Sequence, residues 1–568
     1  MTEKCEELKS FVEKYDTESF AGFFAYFLRQ GVPPGVENKL SNFESRLKDF
    51  LYLIALNAFS KNRGQQKFDL DENMLQELAS RVADIKAAYH PTRFDMYSMD
   101  AILHEMAFQN YFHNGTLSYI EQDLEKIRRI FMPFNEAIQA HFGIDVETVI
   151  EIYKYTELIF KIRMKHLTDY ARADDFIHFQ QELNNGRCAF NEGFEKLPEK
   201  IQDDFLNFHD KPHTMLFLYK SDLYLFDDEK VTRFLSLLSF EPEQADRFLY
   251  YTDINPIEEA PILKISDDKY LHICQKLIPF AIYNRFYRFL LSENKYFDKV
   301  RQHRDKELEK KVKEIFTAFF KKDAFFYENY SVLDNHEQDL LILHKGVALI
   351  VEIKASKIRE PFRDINKAVT KIKDDFKASI QKGYDQCLRV ERLFASGAQF
   401  DIRDMNGKSL YTVHPKKYHT VFSIVVTLER WGALQTDLSH LLTKEESDSF
   451  PWSVFVDDLE TFLLCLQKIS KNPVGNFVSF LKDRQKLHGR CYAIDELDIC
   501  SEYLMDTKKF ANNCCFAEAG IVFSPKNQNL FDRLYHARLF KFKEKALPDA
   551  SRYFEGAPKD WDDAFSDT

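Results

Sequence analysis

Residues 338–356 read QDLLILHKGVALIVEIKAS, and this stretch decides the fold of the chain's second half. Two apolar runs flank Lys345-Gly346. Glycine accepts the positive φ that a two-residue hairpin turn requires, although lysine is less usual at the first turn position. In that register His344 pairs with Val347, and each step outward moves one residue along each strand. Asp339 then faces Glu352, and Glu337 faces Lys354. Directly opposed residues hold their Cβ atoms about 4.5–5.5 Å apart. Two carboxylates at that separation repel each other unless a cation lies between them. Mg²⁺, or Mn²⁺ in its place, takes oxygen ligands and keeps several waters, so one or two carboxylates suffice. The Ile353 carbonyl would complete the protein's share. Glu352 and Lys354 stand two apart on a strand and share one face, while Ile353 turns to the core. Lys354 is thereby placed to orient or deprotonate an attacking water, or to stabilise charge at phosphorus.

Working outward, the preceding segment 305–320 is a predicted helix. Leu308, Val312, Ile315, Phe316 and Phe319 form its apolar stripe. Glu309 lies on the flank of that stripe, whereas Glu307 and Glu314 lie further round. Glu309 is therefore the acid best placed to lean over the sheet towards the metal. Three short strands are predicted at 325–332, 338–344 and 347–354. A basic helical region follows over 365–393, then a weak hairpin at Asn406-Gly407. TVFSIVVTL at 420–428 reads as a buried strand. The order is αβββαβ.

Asp339 followed by Glu352-Ile353-Lys354 resembles the D…(D/E)xK signature of the PD-(D/E)xK, or restriction-endonuclease-like, nuclease superfamily. The nominal proline is replaced by Gln338. The resemblance implies an α+β (α/β) fold with an αβββαβ core, and a metal-dependent phosphodiester hydrolase with Asp339, Glu352 and Lys354 at its centre. It assigns the helical acid of many members to Glu309. It assigns the glutamine that many carry on a later helix to Gln386, within GYDQCLRVERLF at 383–394. Metal ligation then falls to Asp339, Glu352, Glu309 and the Ile353 carbonyl. The resemblance further implies a DNA endonuclease, a use in defence against foreign DNA (antiviral defence or restriction), and a homodimer. A non-catalytic nucleic-acid-binding scaffold on the same fold, or an RNA-processing nuclease, stays open at this point.

From Lys354 to Lys382 the chain holds nine Lys or Arg against four acids. Arg363, Lys367 and Lys371 fall four apart, on one helix face. A basic stripe beside a metal site suits a phosphate backbone, with Arg359 and Arg363 as the leading contacts. A solvated helix face is the plain alternative.

The bulk numbers frame this reading. The chain has 568 residues and a formal net charge of -12, so any nucleic-acid site must be a local patch. Its 54 Phe supply large cores, and only 17 Gly and 17 Pro argue for a helix-rich protein. Three regions are predicted. Residues 1–295 form a mainly helical recognition or regulatory region, with a small hairpin near 261–274 and a capacity to dock a protein partner. Residues 296–430 form the nuclease core. Residues 431–568 form a smaller, mainly helical region whose end, 559–568, is acidic. Helices are expected over 47–59, 149–165, 277–291, 457–468 and 478–487.

The nine cysteines are scattered without a C-x-x-C, which suggests free thiols and no zinc site. The N-terminus lacks a signal peptide's apolar stretch, and no run is long enough to span a membrane, so a cytoplasmic protein without membrane partner is expected. No Walker-type or G-x-S-x-G motif occurs. Asp495, Glu496 and Asp498 read as a helix start. His336 could touch substrate, His344 belongs to the hairpin, and Trp431 to the core.

Overall fold

A computed structural model describes residues 1–29, 40, 42–69, 72–89, 98–113, 118–210, 212–244, 247–332, 336–357, 359, 365–515 and 520–549. The expected basic contact Arg363 and the acidic end 559–568 lie outside these residues. The chain is helix-rich and mixed α and β, with mixed sheets. It divides into two compact units, one of residues 1–88, 119–292 and 543–568, the other of 89–118 and 293–542. The division at 292/293 falls beside the expected boundary at 295/296. Two segments change sides, however, and 431–542 stays with the core rather than forming a separate region.

The first unit is built mostly of helices. Arg46–Ala58, Val146–Thr168 and Leu277–Ser292 match three predicted ones. The predicted hairpin pairs Ile262–Lys264 with Lys269–His272. Phe217–Tyr219 and Ser239–Phe240, too short to show periodicity, extend it to a four-stranded sheet.

The second unit opens with helix α1 (Met99–His113) and the long helix α2 (Phe297–Phe320). Strands β1 (Phe325–Ser331), β2 (Glu337–His344) and β3 (Val347–Lys354) follow. Next come α3 (Ile365–Phe376), a π turn at Lys377–Gln381, and α4 (Lys382–Ser396). The hairpin β4 (Phe400–Arg403) and β5 (Ser409–Val413) precedes β6 (Thr420–Thr427). A further strand, β7 (Trp452–Phe455), leads into α5 (Val456–Ile469) and α6 (Pro473–Arg484). The seven strands form one sheet in the order β7-β6-β3-β2-β1-β4-β5. β3, β6 and β7 run parallel, so Lys354, Thr427 and Phe455 end at one edge.

β3 is buried along its length and reads as a continuous apolar run because both its faces are covered. On one face Leu341, Leu343, Ala348 and Ile350 pack with Cys387, Val390 and Phe394 of α4. The α2 stripe of Leu308, Val312, Ile315, Phe316 and Phe319 is buried as its spacing predicts. β7, four residues long, passes unnoticed in the sequence, yet its pairing to β6 binds the following helices into this unit. α1 joins it because Leu103, Met106 and Ala107 share a core with Val369, Ile372, Phe376 and Trp431.

Candidate active site

The β2–β3 turn is formed by Lys345 at φ 39° and Gly346 at φ 85°. Both values are positive, as a type I′ turn requires. Pairing follows the expected register from His344↔Val347 out to Leu340↔Val351, and there it stops. Neither of the expected facing pairs, Asp339–Glu352 and Glu337–Lys354, forms. Beyond Leu340 the strands part, and Asp339 and Glu352 occupy the wedge between them.

The ladder ends for an electrostatic reason. Regular pairing would send the Ile353 N–H to the main chain of β2. It donates instead to Asp339 Oδ2, at 2.6 Å. The Asp339 N–H in turn donates to Glu352 Oε1, at 3.3 Å. Each carboxyl group thus takes a backbone donor of the opposite strand, and for the Ile353 N–H a carboxylate oxygen outcompetes a neutral carbonyl.

Lys354 closes the wedge. Its main chain is held by β6, where it pairs with Thr427 and accepts from Leu428 N–H at 3.0 Å. Its Nζ donates to Glu352 Oε2 at 3.0 Å, to Asp339 Oδ2 at 3.3 Å and to the Ile353 carbonyl at 3.3 Å. One cationic nitrogen therefore bonds three of the four groups that the sequence assigns to a metal, all but Glu309. These are hard oxygen donors of the kind Mg²⁺ or Mn²⁺ accepts, so the residues fit such an ion. Among the described residues no three His, Cys, Asp or Glu side chains converge as a metal-ligand group. The donor set here is two carboxylates and a main-chain carbonyl.

Glu352 has no exposed side-chain surface, against 15% for Asp339 and 11% for Lys354. Burial, reinforced by the Asp339 charge, raises the Glu352 carboxyl to about 8. Burial alone would lower the Lys354 ammonium, but the Glu352 and Asp339 charges outweigh it and hold it above its usual value. The two shifts pull against each other, since a neutral Glu352 does not raise an ammonium. They are reconciled by one negative charge balancing Lys354 while the second carboxyl retains a proton. Fully ionised, two carboxylates against one ammonium would leave one negative charge in the wedge, which favours a bound cation.

Glu309 sits half-buried on α2 and makes no hydrogen bond or ion pair with any described residue. Burial first, then the charges of Asp339, Glu337 and Asp305, raise it to about 7. It thus senses the centre without joining it. Gln386 on α4 is also half-buried, and its Oε1 is buried without a partner among the described residues. It lines an open recess of about 570 Å³ with His336, Glu337, Lys382, Asp385 and Arg389.

The basic segment behaves differently from its charge count. Arg359 Nε donates to Asp375 Oδ1 and Oδ2 at 2.8 and 3.0 Å, and its N–H donates to Oδ2 at 2.9 Å. This guanidinium is committed to an internal ion pair. Lys367 is exposed and Lys371 half-buried on α3, and Lys373 is paired with Asp100 at 2.7 Å.

Three contributors are absent from the sequence reading. Gly383, at the start of α4, lets the helix lie against the lysine. A Cβ there would stand 3.3 Å from Lys354 Cε and 2.9 Å from Val425 Cγ1. A glycine inside a helical pattern is the available signal, since it costs about 1 kcal/mol relative to alanine and so points to close packing. Arg304 Nη2 donates to the Ala355 carbonyl at 2.8 Å and fastens α2 beyond the end of β3. Tyr330 is wholly buried, its hydroxyl has no partner among the described residues, and burial followed by the Glu352 charge raises it well above its usual value.

The other candidates are structural. Asp495 caps the helix Glu496–Met505 in a capping box with Asp498. His344 Nδ1 meets the Asp323 carbonyl at 2.7 Å. Trp431 is fully buried, and all nine cysteines are free. No helix among the described residues is long and apolar enough to cross a membrane. No family model, curated protein or solved structure matches the chain.

Proposed function

We propose that the second unit is a restriction-endonuclease-like nuclease core that hydrolyses phosphodiester bonds of nucleic acid with Mg²⁺ or Mn²⁺, acting as a DNA endonuclease. The observation that carries this reading is the single ammonium of Lys354 bonded at once to Asp339, Glu352 and the Ile353 carbonyl. Asp339, Glu352 and that carbonyl would hold the ion, with Glu309 close enough in charge to bind it through water. When bound, the ion supplies Lewis-acid stabilisation of the phosphorane and a lowered pKa for attacking water. Lys354, released from bridging the carboxylates, orients that water and offsets charge on the phosphate oxygens. Glu352, buried and proton-retaining, gives up its proton on binding the cation, so metal affinity rises with pH. Gln386, with its unpartnered carbonyl oxygen, positions the water or the substrate from the recess beside it. A use in defence against foreign DNA and a homodimeric state remain part of this proposal through the superfamily resemblance alone.

The test is incubation of supercoiled plasmid with the full chain in Mg²⁺, Mn²⁺ or EDTA, beside Asp339→Ala and Lys354→Ala proteins matched for folding. Metal-dependent nicking or linearisation that disappears in both variants is the expected result. Cleavage of labelled RNA but not DNA would redirect the reading to an RNA-processing nuclease. No cleavage of either, with no Asp339-dependent Mn²⁺ uptake by calorimetry, would sink the catalytic reading in favour of a scaffold.

A further inference from the structure

At the other end of the β2–β3 hairpin, roughly 25 Å away along eight-residue strands, lies a second recess, of about 740 Å³. Its rim carries Lys321, Lys345, Lys468, Lys471 and Lys541, all exposed. Asp323, the acid on that rim, is paired with Lys345 at 3.2 Å. Lys321, Lys468, Lys471 and Lys541 have no hydrogen-bond or ion-pair partner among the described residues. Four uncompensated positive charges thus gather at one hollow of a chain whose net charge is -12. Like charges held together cost free energy unless an anion joins them.

The hollow has an apolar floor. Leu464, Pro473, Val474 and Val478, all half-buried, supply it, over Phe319, Phe320 and Val347, which are almost without solvent exposure. Lys321 holds its place at φ 57° and ψ -128°, a backbone conformation unfavourable for a residue with a Cβ. Strain of that kind persists where the surroundings over-determine it, and it gathers at ligand sites. The volume falls within the ~300–1,000 Å³ usual for small-molecule sites. An apolar floor takes a flat ring, and lysines, as mobile point charges, take phosphates without demanding one fixed geometry.

We infer that this basin binds a nucleoside polyphosphate, its base against Leu464 and Val478 and its phosphates among Lys321, Lys468, Lys471 and Lys541. The shared chemistry is a base followed by phosphates, whether in a free nucleotide or at the 5′-phosphorylated end of a single strand. The inference does not depend on the nuclease reading, because the basin shares no residue with the Asp339–Glu352–Lys354 centre.

The experiment is a titration of trinitrophenyl-labelled ATP into the full chain in EDTA, followed by fluorescence. The Lys471→Glu/Lys541→Glu protein is compared with Lys508→Glu/Lys509→Glu, a pair of the same charge change on the helix Thr507–Cys515, outside the basin. A Kd raised roughly 30-fold or more in the first and less than about 3-fold in the second is expected. Lys471→Gln/Lys541→Gln serves if charge reversal prevents folding. Displacement of the label by unlabelled ATP would identify free nucleotide; displacement only by 5′-phosphorylated oligothymidine would identify a strand end. No saturable binding, equal loss in the two charge-reversal proteins, or displacement by polyglutamate as effective as by either phosphate ligand would overturn the inference.

Discussion

The two ends of one hairpin solve opposite electrostatic problems. At the open end two acids share a closed wedge, and a lysine from the same strand bridges them. At the turn end four lysines surround an open hollow without acidic partners among the described residues. Charge in the sequence is thus not charge on the surface. The stretch 354–382 has the stronger basic count, yet its Arg359 is tied to Asp375 and its Lys373 to Asp100. The basin draws its lysines from distant segments, and their charges are left over.

The largest expected effect belongs to the acidic end. On the proposed nuclease function, Lys354→Ala is expected to lower the initial rate of Mg²⁺-dependent plasmid cleavage by about 10³-fold. A loss of less than about tenfold would mean that the bridge is a structural ion pair alone. Gly383→Ala comes next. Its added methyl displaces Lys354 or Val425, so kcat falls by about 10- to 100-fold while KM stays within about threefold. Steady-state kinetics that show the loss in KM instead would place Gly383 in substrate binding rather than in aiming the lysine.

The third effect is on stability and reverses the usual cost of mutation. The Glu352 carboxyl is raised from 4.5 to about 8 in the folded chain. The folded state therefore keeps a proton that the unfolded state has released, and stability falls as pH rises from about 5 towards 8. Glu352→Gln removes this penalty. In EDTA it is expected to unfold at higher urea than wild type at pH 8, by on the order of 2 kcal/mol, with the gap closing near pH 4. A gap that is independent of pH would show that the carboxyl is ionised throughout.

The smallest effect sharpens the contrast between spent and spare charge. Arg359→Ala is expected to lower stability by about 1 kcal/mol or less, read from the urea midpoint, and to leave the salt dependence of DNA binding unaltered. A shallower salt slope would return Arg359 to the phosphate contacts.

The acidic end was legible because its parts are contiguous. A turn glycine, the period of two and one D…ExK spacing place Asp339, Glu352 and Lys354 within sixteen residues. Periodicity also found α2 and the side of it that bears Glu309. The parting of the strands was not legible, since a register rule assumes that the ladder continues, while a carboxylate can replace a carbonyl as acceptor for the Ile353 N–H. β7 escaped notice because four residues show no period. α1 joined the second unit through packing that only the fold creates. The basin could not be read at all: Lys321, Lys541 and the neighbours Lys468 and Lys471 are separated by long stretches of chain, and each alone is an ordinary surface lysine.

The π turn at Lys377–Gln381 sets a phase. A π turn holds one residue more than the α-helical turn it replaces, and each residue of a helix advances it by about 100°. Everything downstream on α4 is rotated accordingly, which is how Gly383 comes to face Lys354 and Cys387 the sheet. An unbroken α-helix of the same length would swing Gly383 and Gln386 away together by about 100°, leaving every acid and lysine of the centre in place but out of step with the helix that covers them, whereas deleting one residue from the turn would restore a regular helix with both still in phase. Length, as much as identity, is therefore a coding variable of this segment.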